Sequence, residues 1–260
     1  MNTKNTHHRV VLLACDGPST RIIYSALKKE FPDVQVILEE PVSRFQLLRR
    51  RIKKLGLRTV AGQVMFLLLV GPLLRRIGAR RIESIKCEFG LDDSPIDGVV
   101  IHVPSVNSEE ARRALQELNP GVVVVNGTRI IGQETLAAVT APFINTHAGI
   151  TPLYRGVHGA YWALAEGRPD LVGTTIHFID EGVDTGPIIE QATFSASDED
   201  SFATYPYLHT AAAIPILVEA VRKALKCTLT QKETLALPSK LRTHPTLGGY
   251  LLTLITRGVK

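Results

Sequence analysis

Residues 9–15, RVVLLAC, form an unbroken run of β-branched and aliphatic side chains. That is the pattern of a strand buried on both faces in a parallel sheet. A turn of small residues follows, Asp16-Gly17-Pro18-Ser19. In residues 20–31, Ile22, Ile23, Ala26 and Leu27 then recur at helical spacing. A second strand fits residues 34–38. The alternation resumes with a strand at 99–103 and a helix at 108–118, where Ser108 is the N-cap and Glu109 and Glu110 fill the first turn. A strand at 121–125 (GVVVV) and a short helix at 133–138 come next. Apolar runs at 141–144 and 173–179 frame a polar stretch, and a helix at 211–226 turns Ile214, Leu217, Val218 and Val221 inward. Residues 228–260 read as a tail rather than a second domain. The pattern predicts an α/β fold: a Rossmann-like, open, mostly parallel twisted sheet in a single domain over 1–260. No GxGxxG is present, so a dinucleotide is not expected. The turn ending in Ser19 suits a phosphate at a helix N-terminus as well as it suits a plain strand-to-helix connection.

One segment, residues 41–82, interrupts this alternation after the second strand. It reads basic, then apolar, then basic. Phe45, Leu48, Ile52 and Leu55 sit at helical spacing with cations on the opposite face. The uncharged run that follows is about fifteen residues and contains Gly71-Pro72, short of the roughly 20 that span a bilayer. The segment holds eleven Lys or Arg and no acid; against a formal total of +5, the rest of the chain carries −6. The basic pI therefore belongs to this insertion alone. Three uses compete: a helical insertion packed on the domain through Leu47, Leu48, Phe66 and Leu67; a basic amphipathic surface resting on anionic lipid; and nucleic-acid binding, for which a run of Leu and Val is a poor phosphate-tracking surface. A solvated face normally mixes signs. The expectation is packing plus peripheral contact with an anionic membrane, no nucleic-acid partner, and a homodimer contact as the remaining use.

Composition changes this picture little. The hydrophobic share of 45% suits a globular chain, and the three cysteines are scattered without metal or disulfide spacing. A reducing cytoplasm is expected, with any membrane contact at its inner face. Residues 1–8 are polar and lack the apolar core of a secretory signal, so they read as a frayed terminus.

The candidate chemistry lies in residues 143–191. Asn145 and His147 end a short strand two residues apart, so both side chains leave the same side. Asp184 follows the next apolar run, after a turn built on Gly182. Asn145-x-His147, Pro152, Arg155-Gly156 and DEGVDTGP ending at Pro187 resemble the formyltransferase family that uses 10-formyltetrahydrofolate. That family includes the glycinamide ribonucleotide, methionyl-tRNA and sugar N-formyltransferases. The resemblance is strong over 122–191 and compatible with the strand–turn–helix at the start. It implies a formyltransferase fold, 10-formyltetrahydrofolate as co-substrate, no metal, and Asn145, His147 and Asp184 at the catalytic positions. The chemistry agrees. Formyl transfer to an amine passes through a tetrahedral oxyanion, which an amide N–H or an imidazole can stabilise, while imidazole or a carboxylate-ordered water takes the amine's proton. The resemblance also implies that the pterin meets backbone groups around Arg129 and Ile130 and in the segment Ile179, Gly182 and Val183.

Other residues carry weaker expectations. Arg155 either anchors a substrate anion or braces its loop, and bracing is favoured. His158 is a candidate for the acceptor pocket, and Ser19 for a substrate phosphate. His177, within TTIHF, reads as structural, and Tyr161 with Trp162 as core. The chain departs from its relatives in three places. The Gly-Ser-Asn phosphate loop of the glycinamide ribonucleotide enzymes is replaced by Asp16-Gly17-Pro18. Only 76 residues follow Asp184, too few for the extra β-barrel of the tRNA enzymes. HAGITP replaces the usual His-x-Ser-Leu-Leu-Pro. By elimination the acceptor is an amino sugar on a nucleotide, or another small amine. The alternatives are a phosphoribosylglycinamide formyltransferase, a 10-formyltetrahydrofolate hydrolase, and a folate-binding or membrane-scaffolding protein with an inactive site.

Overall fold

A computed structural model describes residues 9–233 and 238–260. The eight N-terminal residues, expected to be frayed, lie outside the described residues. The first half runs β1 (Val10–Cys15), α1 (Pro18–Glu30), β2 (Val34–Glu39), α2 (Arg44–Leu55), α3 (Leu57–Met65), a π-helical turn (Phe66–Val70), α4 (Gly71–Ile77), α5 (Ala79–Phe89), β3 (Val100–Val103) and α6 (Glu109–Leu118). The second half runs β4 (Val122–Asn126), α7 (Gln133–Leu136), β5 (Phe143–His147), β6 (Arg155–Gly156), α8 (Gly159–Ala165), β7 (Gly173–Phe178), β8 (Ile188–Thr193), α9 (Tyr205–Leu225), β9 (Leu241–Arg242) and α10 (Leu247–Arg257).

Seven strands form one sheet in the order β3-β2-β1-β4-β5-β7-β8. The strands from β3 to β5 are parallel, whereas β7 and β8 add antiparallel at one edge. Both faces are covered, which explains the unbroken apolar runs. Along β1, Val10, Leu12 and Ala14 join the core under α1 and α9, while Val11 and Leu13 join the core under α6. Ser108 caps α6 as expected, its Oγ accepting from the Ala111 N–H at 3.2 Å.

Four features differ from the sequence reading. The helix expected at 211 begins at Tyr205, because His209 and Thr210 are buried polar residues that mask its apolar face. The edge strand β8 was hidden by its half-exposed Glu190 and Gln191. The tail carries two elements that the sequence reading left out: β9, which pairs with β6, and α10, whose Tyr250 packs on Phe66 with ring centroids 5.0 Å apart.

The fourth difference lies in the insertion. The helix does not stop at Gly71-Pro72. The Gly71 N–H reaches back five residues to the Phe66 carbonyl, and this wider turn accommodates a proline that would clash in a regular helix. One continuous helical run, Leu57–Ile77, results; its 21 residues are long and apolar enough to cross a membrane. Phe66 is fully buried and Leu67 partly so, but Leu47 and Leu48 are exposed and do not pack on the domain.

Candidate active site

The carboxyl ends of β4 and β5 open onto a cleft of about 450 Å³. Asn145 and His147, at i and i+2 of β5, both line it. The antiparallel register sets Asn145 directly opposite His177 on β7, so the two side chains share a face. Asp184 enters from the loop after β7, with its own backbone in the left-handed region (φ 51°). Gly186 lets that loop close, since a Cβ there would collide with the Phe178 carbonyl.

These four side chains form one network. His147 Nε2–H donates to the Tyr154 carbonyl at 2.7 Å, which leaves Nδ1 facing Asp184 Oδ1 at 3.3 Å. His177 Nδ1–H donates to the Phe178 carbonyl at 2.7 Å. Its Nε2 then accepts from Asn145 Nδ2 at 3.0 Å and lies 3.8 Å from Asp184 Oδ1. The Gly156 N–H donates to Asp184 Oδ2 at 2.8 Å. Burial would raise the Asp184 carboxyl, yet the His147 imidazole and the Gly156 N–H hold it well below the usual range. Asp184 is therefore ionised at neutral pH.

His177, read from the sequence as structural, lies beside the site, where its ring bonds the Asn145 amide. The in-phase pairing of TTIHF against FINTH carries that signal, but only once the two strands are known to be antiparallel neighbours. His158 is corrected. It does not line the cleft. Its ring packs on Phe202 (4.1 Å) and bonds His244 through Nε2 at 2.8 Å. Burial pushes His158 down to about 3 and His244 to about 4, so the pair is neutral. Ser19 also lies away from the cleft, its Oγ accepting from Asn126 Nδ2 at 3.1 Å. The turn before α1 presents Asp16, ion-paired with Arg21 at 2.8 Å, so a carboxylate occupies the place proposed for a phosphate.

Arg129, Ile130, Ile179, Gly182 and Val183 all line the cleft, together with Gly127, Thr128 and Val157. The Arg129 guanidinium does not enter freely: it pairs with buried Glu39 at 2.7 Å and donates to the Glu40 carbonyl at 2.7 Å. Glu39 was missed in the sequence. It accepts from the backbone N–H groups of Arg129 (2.7 Å) and Val106 (3.1 Å), tying the cleft loop to β2. Arg155 donates from Nη1 to the Val183 carbonyl at 3.2 Å and lines a second cleft of about 410 Å³ with Thr185, Gln231 and Lys232. Asp184 lines both clefts.

Comparison with known proteins gives this geometry a class. Residues 96–221 match the formyl transferase domain family. Methionyl-tRNA formyltransferase from Thermodesulfovibrio yellowstonii is 36% identical over 122 residues, 46% of this chain and 39% of its own length. Two solved structures share the fold. Glycinamide ribonucleotide transformylase 1 from Symbiobacterium toebii has a TM-score of 0.56 at 21% identity, covering 89% of this chain and 95% of that one. The Helicobacter canadensis N-formyltransferase, solved with folinic acid and dTDP-3-aminofucose, has a TM-score of 0.54 at 16% identity, covering 90% and 70%. Over residues 96–221 the chain is thus similar to the formyl transferase family, and the solved relatives carry that likeness to the fold of the remainder. The chain spans about two fifths of the length of the curated relatives it matches.

Proposed function

We propose that the protein transfers a formyl group from 10-formyltetrahydrofolate to the primary amine of a small molecule, most simply an amino sugar carried on a nucleotide. The observation that carries this reading is the position of Asp184. It stands at the junction of two clefts, beside His147 and across from Asn145. The first cleft sets apolar Val125, Ile130, Ile131, Val157 and Ile179 beside polar groups of the catalytic network, which suits a flat pterin with hydrogen-bonding edges. In the second, Lys232 is paired with Glu190 and the carboxylates of Asp184 and Glu233 also line the wall, so Arg155 is the cation that would meet an anionic acceptor.

In this arrangement the acceptor nitrogen attacks the formyl carbon, and the carbonyl oxygen gains a negative charge. Asn145 uses one Nδ2 hydrogen on His177 and has a second to donate to that oxygen. His147 is fixed at Nε2, so its working atom is Nδ1, which faces Asp184. Asp184 stays ionised and holds that ring, or a water beside it, ready to take the amine's proton. Collapse breaks the bond from carbon to the folate nitrogen; the released nitrogen takes up the proton, and tetrahydrofolate leaves. The three groups need no covalent enzyme intermediate.

The acceptor assignment draws on two supports. Asp16 stands in the turn where a phosphate loop would lie, ion-paired with Arg21 of α1, and the Helicobacter canadensis relative was solved with a nucleotide-linked amino sugar. The test offers the full chain 10-formyltetrahydrofolate with a nucleotide-linked amino sugar, glycinamide ribonucleotide, methionyl-tRNA or water alone. Tetrahydrofolate release only with the amino sugar is the expected result. Equal release without acceptor would make the protein a hydrolase, and release with only one of the other two would reassign the acceptor.

A further inference from the structure

We infer that the α3–α4 helix is a membrane-docking element that lays its outer face on an anionic lipid surface. The helix sorts its side chains into two stripes. Val60, Gln63, Phe66 and Gly71 are buried against the domain. Leu57, Met65, Leu68, Leu69, Leu73 and Ile77 are exposed, Leu68 by 69% and Ile77 by 70%. With exposed Ala61 between them, Leu57, Met65, Leu69, Leu73 and Ile77 fall on a four-residue spacing with Leu68 beside it, so they form one continuous apolar stripe. Next to it α10, joined through Tyr250 on Phe66, exposes Leu252 by 64% and Ile255 by 81%. Large side chains so exposed and so grouped mark an interaction surface rather than ordinary scatter.

Charge decides the occupant. Nine of the eleven cations in residues 41–82 are exposed, and among the described residues only Arg81 of the eleven has a carboxylate partner, Asp200 at 3.0 Å. They flank the apolar stripe on α2 (Arg49, Arg50, Lys53) and at the end of α4 (Arg75, Arg76). An apolar face bordered by unpaired cations complements lipid tails bordered by anionic headgroups. A protein partner would need a matching acidic rim, and a second copy of this chain would set cation against cation.

The helix lies on the membrane and does not cross it. Its inner stripe is committed to the domain, with Phe66 wedged between Phe202 (4.8 Å) and Tyr250, and the Gln63 amide donating to the His244 carbonyl at 2.8 Å. Crossing would expose that stripe and unpair Gln63. Gln63 also ties the element to the site: His244 bonds His158, and β9 pairs with the strand whose Gly156 holds Asp184.

The experiment is co-sedimentation of the full chain with vesicles of phosphatidylcholine alone, or mixed with phosphatidylglycerol, at low and high salt. Binding to the anionic vesicles at low salt, weakened by salt, is expected. Each cation near the surface contributes about fivefold to partition. The triple variant Arg49→Glu, Arg50→Glu, Lys53→Glu should therefore bind about a hundredfold more weakly or worse. Leu68→Glu with Leu69→Glu should abolish binding, while both variants melt like the parent because the altered side chains are exposed. Three results would each overturn the inference: no binding to anionic vesicles at low salt, a stable dimer that Leu69→Glu dissociates, or membrane retention through an alkaline wash, which marks a spanning helix.

Discussion

At the carboxyl end of β5 polar groups are buried, and on the outer side of α3 and α4 apolar groups are exposed. Both regions run against the ordinary sorting of side chains, but they differ in completeness. His147 is 5% exposed and His177 3%, and each has hydrogen-bond partners within the chain. Leu68, Leu69 and Leu73 have solvent on one side, and among the described residues the nearby cations Arg49, Arg50, Lys53, Arg75 and Arg76 have no carboxylate partner. The first region is a finished device whose partners were supplied by folding. The second is half of a contact. Burying polar groups costs free energy unless they are paired; Asn145, His147, His177 and Asp184 are paired, while among the described residues the neighbouring Thr146 Oγ1 and Arg155 Nε find no partner. Exposed apolar surface costs little in the free chain and gains only when something covers it.

The largest expected effect tests the finished region. His147→Ala should lower formyl-transfer turnover by about 10²–10⁴-fold, measured as tetrahydrofolate release at saturating substrate, with the circular dichroism spectrum unchanged. Turnover equal to the parent would remove His147 from the chemistry. Next comes a contrast within one helix. Phe66→Ala empties a fully buried aromatic site and should cost about 3–5 kcal/mol in denaturant unfolding. Leu69→Ala, on the same turn but exposed, should change stability by less than about 0.5 kcal/mol. Equal costs would mean the outer stripe is packed after all. Third, His177→Leu keeps bulk but releases the Asn145 amide. A misplaced donor can cost about 10²-fold, so kcat should fall by that order while the KM for folate holds. An unchanged kcat would return His177 to a structural role.

The Asp184 pair gives a pH test with a defined sign. Its carboxyl is depressed in the folded chain, so the ionised form stabilises the fold. That contribution is complete above the ordinary carboxylate pKa of about 4 and fades as the pH falls below it. Asp184→Asn should therefore be less stable than the parent by about 2 kcal/mol at pH 7, with the gap narrowing in melts run below about pH 4. A gap independent of pH would mean that the carboxylate's charge contributes nothing.

What the sequence made legible, and what it did not, follows the same division. The parallel strands announced themselves because burial on both faces removes polar residues from β1 and β4. Asn145, His147 and Asp184 stood out because their spacing is local and matches a known family. The role of His177 depends on antiparallel register between strands some thirty residues apart, and the displacement of His158 depends on its left-handed backbone (φ 62°) and on His244. Neither pairing leaves a periodic trace. The apolar stretch read as about fifteen residues because it was counted between Arg58 and Arg75, whereas the helix Leu57–Ile77 takes in the charged residues at both ends, and the π turn that carries it past Gly71-Pro72 is invisible in residue identities. The insertion's charge excess was plain from the start, but the direction in which the apolar side chains face could come only from three dimensions.

The smallest expected effect concerns the seam between the two clefts. Arg155 Nη1 donates to the Val183 carbonyl at 3.2 Å, one residue before Asp184. A lysine there keeps the charge but loses the planar fork, and a compact ammonium on a flexible stem holds that carbonyl less well. The loss is about one hydrogen bond, or about 1 kcal/mol, which for a chain of this size lowers Tm by about 2–4 °C. If Arg155 braces the loop, Arg155→Lys should show that drop with and without the amine acceptor. The KM for the acceptor should then rise only slightly, as Asp184 shifts with its neighbour. Arg155 also lines the second cleft beside Lys232, where a guanidinium could hold an acceptor anion directly. In that case Tm stays constant and the acceptor KM rises about tenfold or more, the loss expected for a charge-assisted hydrogen bond. Melting curves and acceptor titrations on the same preparation separate the two roles.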